Sequence, residues 1–130
     1  MKVSDRVMRI DGIYDEDMYI LDEAGEPACC PEYWRFMKFW TQPGTRQRCR
    51  IAFTRIDHEV YVSTVFLRYD HGFRMLHRLI STPEERVQYK PVLWETMIFG
   101  GNENGYQERY NSRAEAEAGH ERAVRMALHS

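Results

Sequence analysis

Residues 48–69 read RCRIAFTRIDHEVYVSTVFLRY, and this stretch decides the fold. Apolar and polar residues alternate from Arg48 to Ile56, which predicts a strand. The alternation places three side chains on one face of that strand: Cys49, Ile51 and Phe53. Asp57-His58 predicts a tight turn, and the run from Glu59 to Tyr69 is rich in β-branched and aromatic residues. Because this second run carries apolar groups on both faces, it is predicted to be a central strand paired with the first in a hairpin.

The rest of the chain adds further strands around this hairpin. Residues 18–30 predict two short strands joined by a turn. Residues 92–99 predict a strand that ends at the glycine-rich loop 100–105, after which Tyr106 to Tyr110 can return as its partner.

Two helices are predicted. The first begins at Pro31, since proline at the first helical turn loses no hydrogen bond, and runs to Trp40. Its apolar stripe is predicted to comprise Tyr33, Phe36, Met37 and Trp40. The second begins at Ser112, which forms a capping box with Glu115. Its apolar stripe is predicted to comprise Ala116, Gly119, His120, Ala123, Val124 and Ala127.

The predicted fold class is therefore α+β: an antiparallel sheet of about four or five strands with helices packed on one face. With 130 residues and no repeat or linker, the chain is predicted to be a single domain, residues 1–130. Residues 72–91 are irregular and basic, and a short helix after Thr82-Pro83 is the one element predicted within them. We interpret this segment as a basic insertion or arm.

Composition excludes several classes of protein. Hydrophobic residues make up 43% of the chain and the net charge is −2, which fits a globular protein and not a disordered one. No apolar run is long enough to cross a membrane, and the charged start is unlike a signal peptide. The chain has three cysteines, an odd number, and they lack the spacing of metal ligands. A disulfide framework and a zinc site are therefore not expected. We expect a cytoplasmic protein, in the host cell, with no membrane partner and no cofactor.

Four polar residues that are far apart in sequence are the candidates for chemistry, and we call them the polar cluster. They are Asp70, His71, Glu95 and His120. Two imidazoles and a carboxylate suit acid–base work or one metal ion. The alternative is a structural network in which Glu95, on the face of Leu93, Met97 and Phe99, accepts hydrogen bonds that fix the last helix on the sheet. The structural interpretation is favoured, because no local metal motif is present. We therefore assign no catalytic and no metal-binding residue, and we favour a function other than catalysis.

Two further sets suit binding. A protein-binding set combines aromatic and basic residues, which are enriched at interface centres. It comprises Trp34, Arg35, Lys38 and Phe39, with Arg74, Arg78 and Arg86 of the arm. A nucleic-acid-binding set lies in a block without acidic residues. It comprises Arg46, Arg48, Arg50 and Arg55. A solvated surface that neutralises the acidic residues before it is the plainer interpretation of this block.

Several strings together resemble a family of small uncharacterised proteins of bacteriophages and prophages. They are Val62–Leu67, Asp70-His71, Leu93–Gly101, Arg109–Ser112 and Glu115–His120. The resemblance covers most of residues 18–128 and implies no particular reaction. The chain differs from the family pattern at Arg68, where glycine is usual, and in the longer basic segment 72–91.

The leading hypothesis is a phage-type accessory protein that binds a host or phage macromolecule. One form of this hypothesis is a counter-defence protein that inhibits a CRISPR effector. The first alternative is a small hydrolase or metal-dependent enzyme using His71, Glu95 and His120. The second is a nucleic-acid-binding protein that uses the basic residues between Arg46 and Arg55. A homo-oligomer is compatible with all three.

Overall fold

The structure is a computed structural model that describes residues 17–72, 82–84 and 89–130. These residues divide into two compact units. The amino-terminal unit takes in the described residues of Met1–Arg46 and Arg68–Pro91, and the sheet unit comprises Gln47–Leu67 and Val92–Ser130. The predicted arm lies largely outside the described residues.

The amino-terminal unit begins with a small hairpin of strands β1 (Tyr19–Leu21) and β2 (Pro27–Cys29), which pair antiparallel. The Asp22 side chain stabilises the turn between them, since its Oδ1 accepts the backbone N–H groups of Ala24 and Glu26, each at 2.9 Å. The two short strands predicted for residues 18–30 are thus confirmed.

Helix α1 (Tyr33–Thr41) packs its aromatic side against this hairpin. Phe36 and Phe39 are buried, and the indole N–H of Trp40 donates to the Tyr19 carbonyl oxygen at 2.9 Å. The prediction that Tyr33 belongs to the apolar stripe is wrong, because Tyr33 is 48% exposed. The buried side of the helix centres on Phe36 and Phe39 instead.

Helix α2 (Thr45–Arg48) leads into the sheet unit. That unit contains strands β3 (Arg50–Arg55), β4 (Tyr61–Phe66), β5 (Trp94–Phe99) and β6 (Gln107–Tyr110). They form a four-stranded antiparallel sheet in the order β3-β4-β5-β6. The predicted hairpin and the central position of β4 are both confirmed.

Helix α3 (Arg113–Leu128) packs on one face of this sheet. Its start follows the predicted cap, since Ser112 Oγ accepts the Glu115 backbone N–H at 3.1 Å. Val124 of the predicted stripe is half-buried, and the other five residues are the buried side of the helix: Ala116, Gly119, His120, Ala123 and Ala127. Ala123 and Ala127 form a core cluster with Val62 of β4 and Ile98 of β5. The predicted α+β class, with a helix on one face of an antiparallel sheet, is confirmed.

None of the helices in the described part of the chain has the length and apolar character needed to cross a bilayer. Cys29, Cys30 and Cys49 all carry thiols.

Candidate functional site

The sheet presents two chemically different faces, because successive strand residues point to opposite sides. On β4, Val62, Thr64 and Phe66 are buried, whereas Tyr61, Ser63 and Val65 are half-buried. The buried set lies on the face that α3 covers. The other set lies on the opposite face, which we call the open face.

His120 lies at the centre of the helix-covered face. Its Nδ1 is 2.8 Å from the Thr64 hydroxyl and its Nε2 is 2.8 Å from the Thr54 hydroxyl. The Thr64 hydroxyl is in turn 2.5 Å from the Thr96 hydroxyl. Burial of the imidazole lowers the pKa of His120. The negative charge of Glu121 has a smaller effect in the opposite direction. The imidazole, with both nitrogens bonded to threonine, joins α3 to strands β3 and β4.

Glu95 lies on the open face. Its Oε2 accepts from Nε of Arg109 at 2.8 Å, and the Gln107 side-chain amide donates to the same oxygen. Glu95 and Arg109 are cross-strand neighbours of β5 and β6, which explains the pairing. The Glu95 side chain is 13% exposed and that of Arg109 is 42% exposed. This arrangement is a satisfied ion pair across two strands.

Two members of the polar cluster predicted from sequence are therefore separated. Glu95 and His120 lie on opposite faces of one sheet, so Glu95 does not anchor the last helix. Asp70 and His71 belong to the amino-terminal unit. The Asp70 carboxylate accepts the Tyr89 hydroxyl at 2.5 Å and the Gly72 N–H at 2.8 Å. No group of three or more potential metal-binding side chains occurs within the described ranges.

The open face carries a row of aromatic rings across three strands. Phe53 and Tyr61 have ring centroids 5.3 Å apart, and Tyr61 stacks on Phe99 with centroids 4.8 Å apart. The guanidinium carbon of Arg50 lies 4.7 Å from the Phe53 ring centroid. That of Arg55 lies 5.7 Å from the Tyr61 centroid and 6.0 Å from the Phe53 centroid. We call these five residues the arginine–aromatic surface.

A register shift in β3 creates this surface. Arg50 pairs with Val65 and Ala52 pairs with Thr64, which leaves Ile51 as an extra residue between them. Arg50 and Phe53 are three positions apart and would face opposite sides of a regular strand. The bulge brings them to the same side. The prediction that Cys49 and Phe53 share a face is wrong for this reason: Cys49 is buried, whereas Phe53 is 39% exposed.

The predicted nucleic-acid set is thus split between two elements. Arg50 and Arg55 contribute to the arginine–aromatic surface, whereas Arg46 and Arg48 lie in α2. Tyr61 and Phe99 were missed as site residues, although their alternation with buried neighbours could have indicated a shared face.

The predicted protein-binding set is only partly exposed. Trp34 is 69% exposed, and Arg35 and Lys38 are exposed beside it, whereas Phe39 is buried and does not belong to a contact surface. Trp34 and Lys38 are four residues apart and share one side of α1, opposite Phe36. We call Trp34, Arg35 and Lys38 the α1 surface. Arg74, Arg78 and Arg86 lie outside the described residues.

Comparison with models of known protein families, with curated proteins and with solved structures found no match.

Proposed function

We propose that this chain is a phage-type accessory protein that acts by binding a host or phage protein, and that the α1 surface is the contact. The observation that carries this proposal is the exposure of Trp34. An indole that is 69% exposed leaves a large apolar area in water, and a protein partner would remove that area from water. Tryptophan and arginine are the residue types most enriched at the energetic centres of interfaces.

Charge specifies the chemistry of the partner. Helix α1 contains Arg35 and Lys38 and no acidic residue. An acidic patch on the partner complements these two cations, and the Trp34 ring supplies an apolar contact beside them. The phage resemblance favours a counter-defence protein, such as an inhibitor of a CRISPR effector, as the specific form of this function.

The division of the polar cluster also supports binding over catalysis. The enzyme alternative requires Glu95 to act together with His120, yet the sheet separates the two. His120 is bonded to Thr54 and Thr64, and Glu95 is bonded to Arg109. Both groups therefore have structural roles that account for their positions.

The test is capture from a lysate of the bacterial host, followed by calorimetry with the purified partner. Wild-type bait is expected to retain a stoichiometric acidic partner. Trp34→Ala is expected to weaken the purified complex by about 30-fold or more, the loss typical of an interface centre. The matched control is Leu128→Ala, which removes an apolar side chain that is 59% exposed on α3.

Two results would overturn the proposal. One is the absence of any stoichiometric partner. The other is a partner whose dissociation constant is the same for wild type, Trp34→Ala and Leu128→Ala. If the partner is a CRISPR effector, its DNA cleavage is expected to be inhibited by wild type and restored with Trp34→Ala.

A further inference from the structure

We infer that the arginine–aromatic surface binds single-stranded nucleic acid. This activity lies on the sheet unit and goes beyond the protein contact proposed for α1. It depends on a different set of residues: Arg50, Phe53, Arg55, Tyr61 and Phe99.

The first argument is the arrangement of the rings: Tyr61 and Phe99 are stacked, and the planes of Phe53 and Tyr61 are tilted by 36°. The Arg50 guanidinium, the Phe53 ring, the Tyr61 ring and the Phe99 ring follow one another at separations of 4.7, 5.3 and 4.8 Å. Nucleic-acid bases stack on aromatic rings and on guanidinium planes alike. A base can extend this column at Arg50. It can also replace the exposed Arg50 side chain over the Phe53 ring.

The second argument is exposure. Phe53 is one of the large hydrophobic residues that stay exposed, at 39%, although it lies within a strand. The helix-covered face of the same sheet is packed by α3, so the unit buries its core without the Phe53 ring. A flat, unpaired base fits such a ring, because stacking covers the apolar surface without requiring a deep pocket.

The third argument is charge. Arg50 and Arg55 are exposed, and neither β3 nor β4 contains an acidic residue. The nearest acid along the chain, Asp57, directs its Oδ1 to the backbone N–H groups of Glu59 and Val60 within the turn. Glu95, on the same face, is neutralised by Arg109. Arg50 and Arg55 are the charged groups described in contact with the rings, and two cations there suit a phosphate backbone.

The geometry favours single strands over duplexes. Bases in a duplex are stacked on one another, and their flat faces are not accessible to Arg50 or Phe53. Reading a duplex requires an element that enters a groove, such as a helix or a protruding ribbon. The arginine–aromatic surface is the face of a sheet.

The test is fluorescence anisotropy with the full chain and labelled oligonucleotides of about 12 residues, a typical length for one single-strand site. The probes are oligothymidylate, oligouridylate and a DNA duplex of equal length. We expect binding of at least one single strand, weaker binding of the duplex, and affinity that falls with added salt.

Variants assign the binding to the surface. Phe53→Ala is expected to weaken binding by about 5- to 160-fold, the range for loss of one stacking platform, whereas Phe53→Tyr retains it. The double variant Arg50→Gln/Arg55→Gln is expected to lower the slope of log affinity against log salt by about 1.4. The matched controls are Arg125→Gln on the exposed side of α3 and Trp34→Ala. Both should bind as wild type, and the Trp34→Ala result separates this inference from the proposed protein contact.

Several outcomes would overturn the inference, and three of them come from the binding measurements. They are no binding of either single strand, duplex binding as tight as single-strand binding, and equal affinity of wild type and Phe53→Ala. Displacement of the oligonucleotide by polyglutamate at equal charge concentration would also overturn it, since that result indicates general attraction to polyanions. Because Phe53 is exposed, its variants are expected to fold, and far-UV circular dichroism checks this.

Discussion

The Nδ1 atom of His120 lies 2.8 Å from the Thr64 hydroxyl oxygen, and this hydrogen bond connects helix α3 to the central strand β4. The opposite ring nitrogen is bonded to Thr54 of the neighbouring strand β3. The imidazole therefore joins three elements at one point. The arrangement suits a neutral ring, in which one nitrogen donates and the other accepts.

The first prediction concerns pH. Because burial lowers the pKa of His120 in the folded chain, the unfolded chain takes up the proton first as the pH falls. The free energy of unfolding should therefore decrease below about pH 6.5 and level off once the folded chain is also protonated. Urea unfolding of wild type and His120→Gln isolates this contribution, because the variant should lose less stability on acidification. His129→Gln, at the exposed end of the chain, should follow the wild-type curve.

The second prediction concerns the contact of Gly119 with Tyr110. A Cβ atom added at Gly119 would collide with the Tyr110 hydroxyl and ring. Glycine to alanine within a helix normally stabilises by about 1 kcal/mol. Here Gly119→Ala should instead destabilise by about 1–3 kcal/mol, because the helix must move away from the sheet. Thermal unfolding measures this change. The control is Ala118→Gly at the neighbouring, exposed position, which measures the ordinary difference in helix propensity between alanine and glycine. A Gly119→Ala variant more stable than wild type would contradict the packing described.

The third prediction concerns Glu95. Double-mutant cycles should give a coupling free energy of about 0.5–1 kcal/mol between Glu95→Gln and Arg109→Gln, as for a partly exposed ion pair. The cycle between Glu95→Gln and His120→Gln should give a value within about 0.5 kcal/mol of zero, because the two residues lie on opposite faces. Chemical denaturation measures both. Strong coupling of Glu95 with His120 would revive the polar cluster as a functional unit.

The fourth prediction compares two glycines of the β5–β6 turn. Gly100 and Gly105 both have positive φ, at 87° and 90°. Alanine at Gly105 meets open space and should cost about 1–2 kcal/mol from the backbone conformation alone. Alanine at Gly100 would also collide with the Glu59 carbonyl oxygen, so it should cost clearly more. Equal unfolding free energies for the two variants would contradict the close approach of Gly100 to Glu59.

Most strands and helices could be predicted from sequence because their signals are local. The Ser112 cap, the small-residue stripe of α3 and the β-branched run of β4 each specify an element without reference to distant residues. The bulge at Ile51 could not be predicted. It depends on which residues of β3 pair with β4, and simple alternation therefore wrongly placed Phe53 on the same face as Cys49.

The candidate site was harder to predict, since it depends on which face of the sheet the helix covers. Both faces of β5 carry apolar residues, with Trp94 and Ile98 on one and Met97 and Phe99 on the other. Alternation placed Glu95 correctly beside Met97 and Phe99, yet it contained no information on the side to which α3 packs. In α1, similarly, Trp34 and Phe39 have comparable hydrophobicity, and their positions around the helix separate the exposed ring from the buried one.

The bulge at Ile51 also affects how the sheet meets other chains. Strand β3 is an edge strand of the four-stranded sheet. A regular edge offers evenly spaced backbone groups to which a foreign strand can add, and bulges that bend and twist the edge are a common protection against such growth. The extra residue that exposes Phe53 thus also makes the edge less suited to edge-to-edge addition of another strand, so that a single insertion combines an accessible ring with a protected edge.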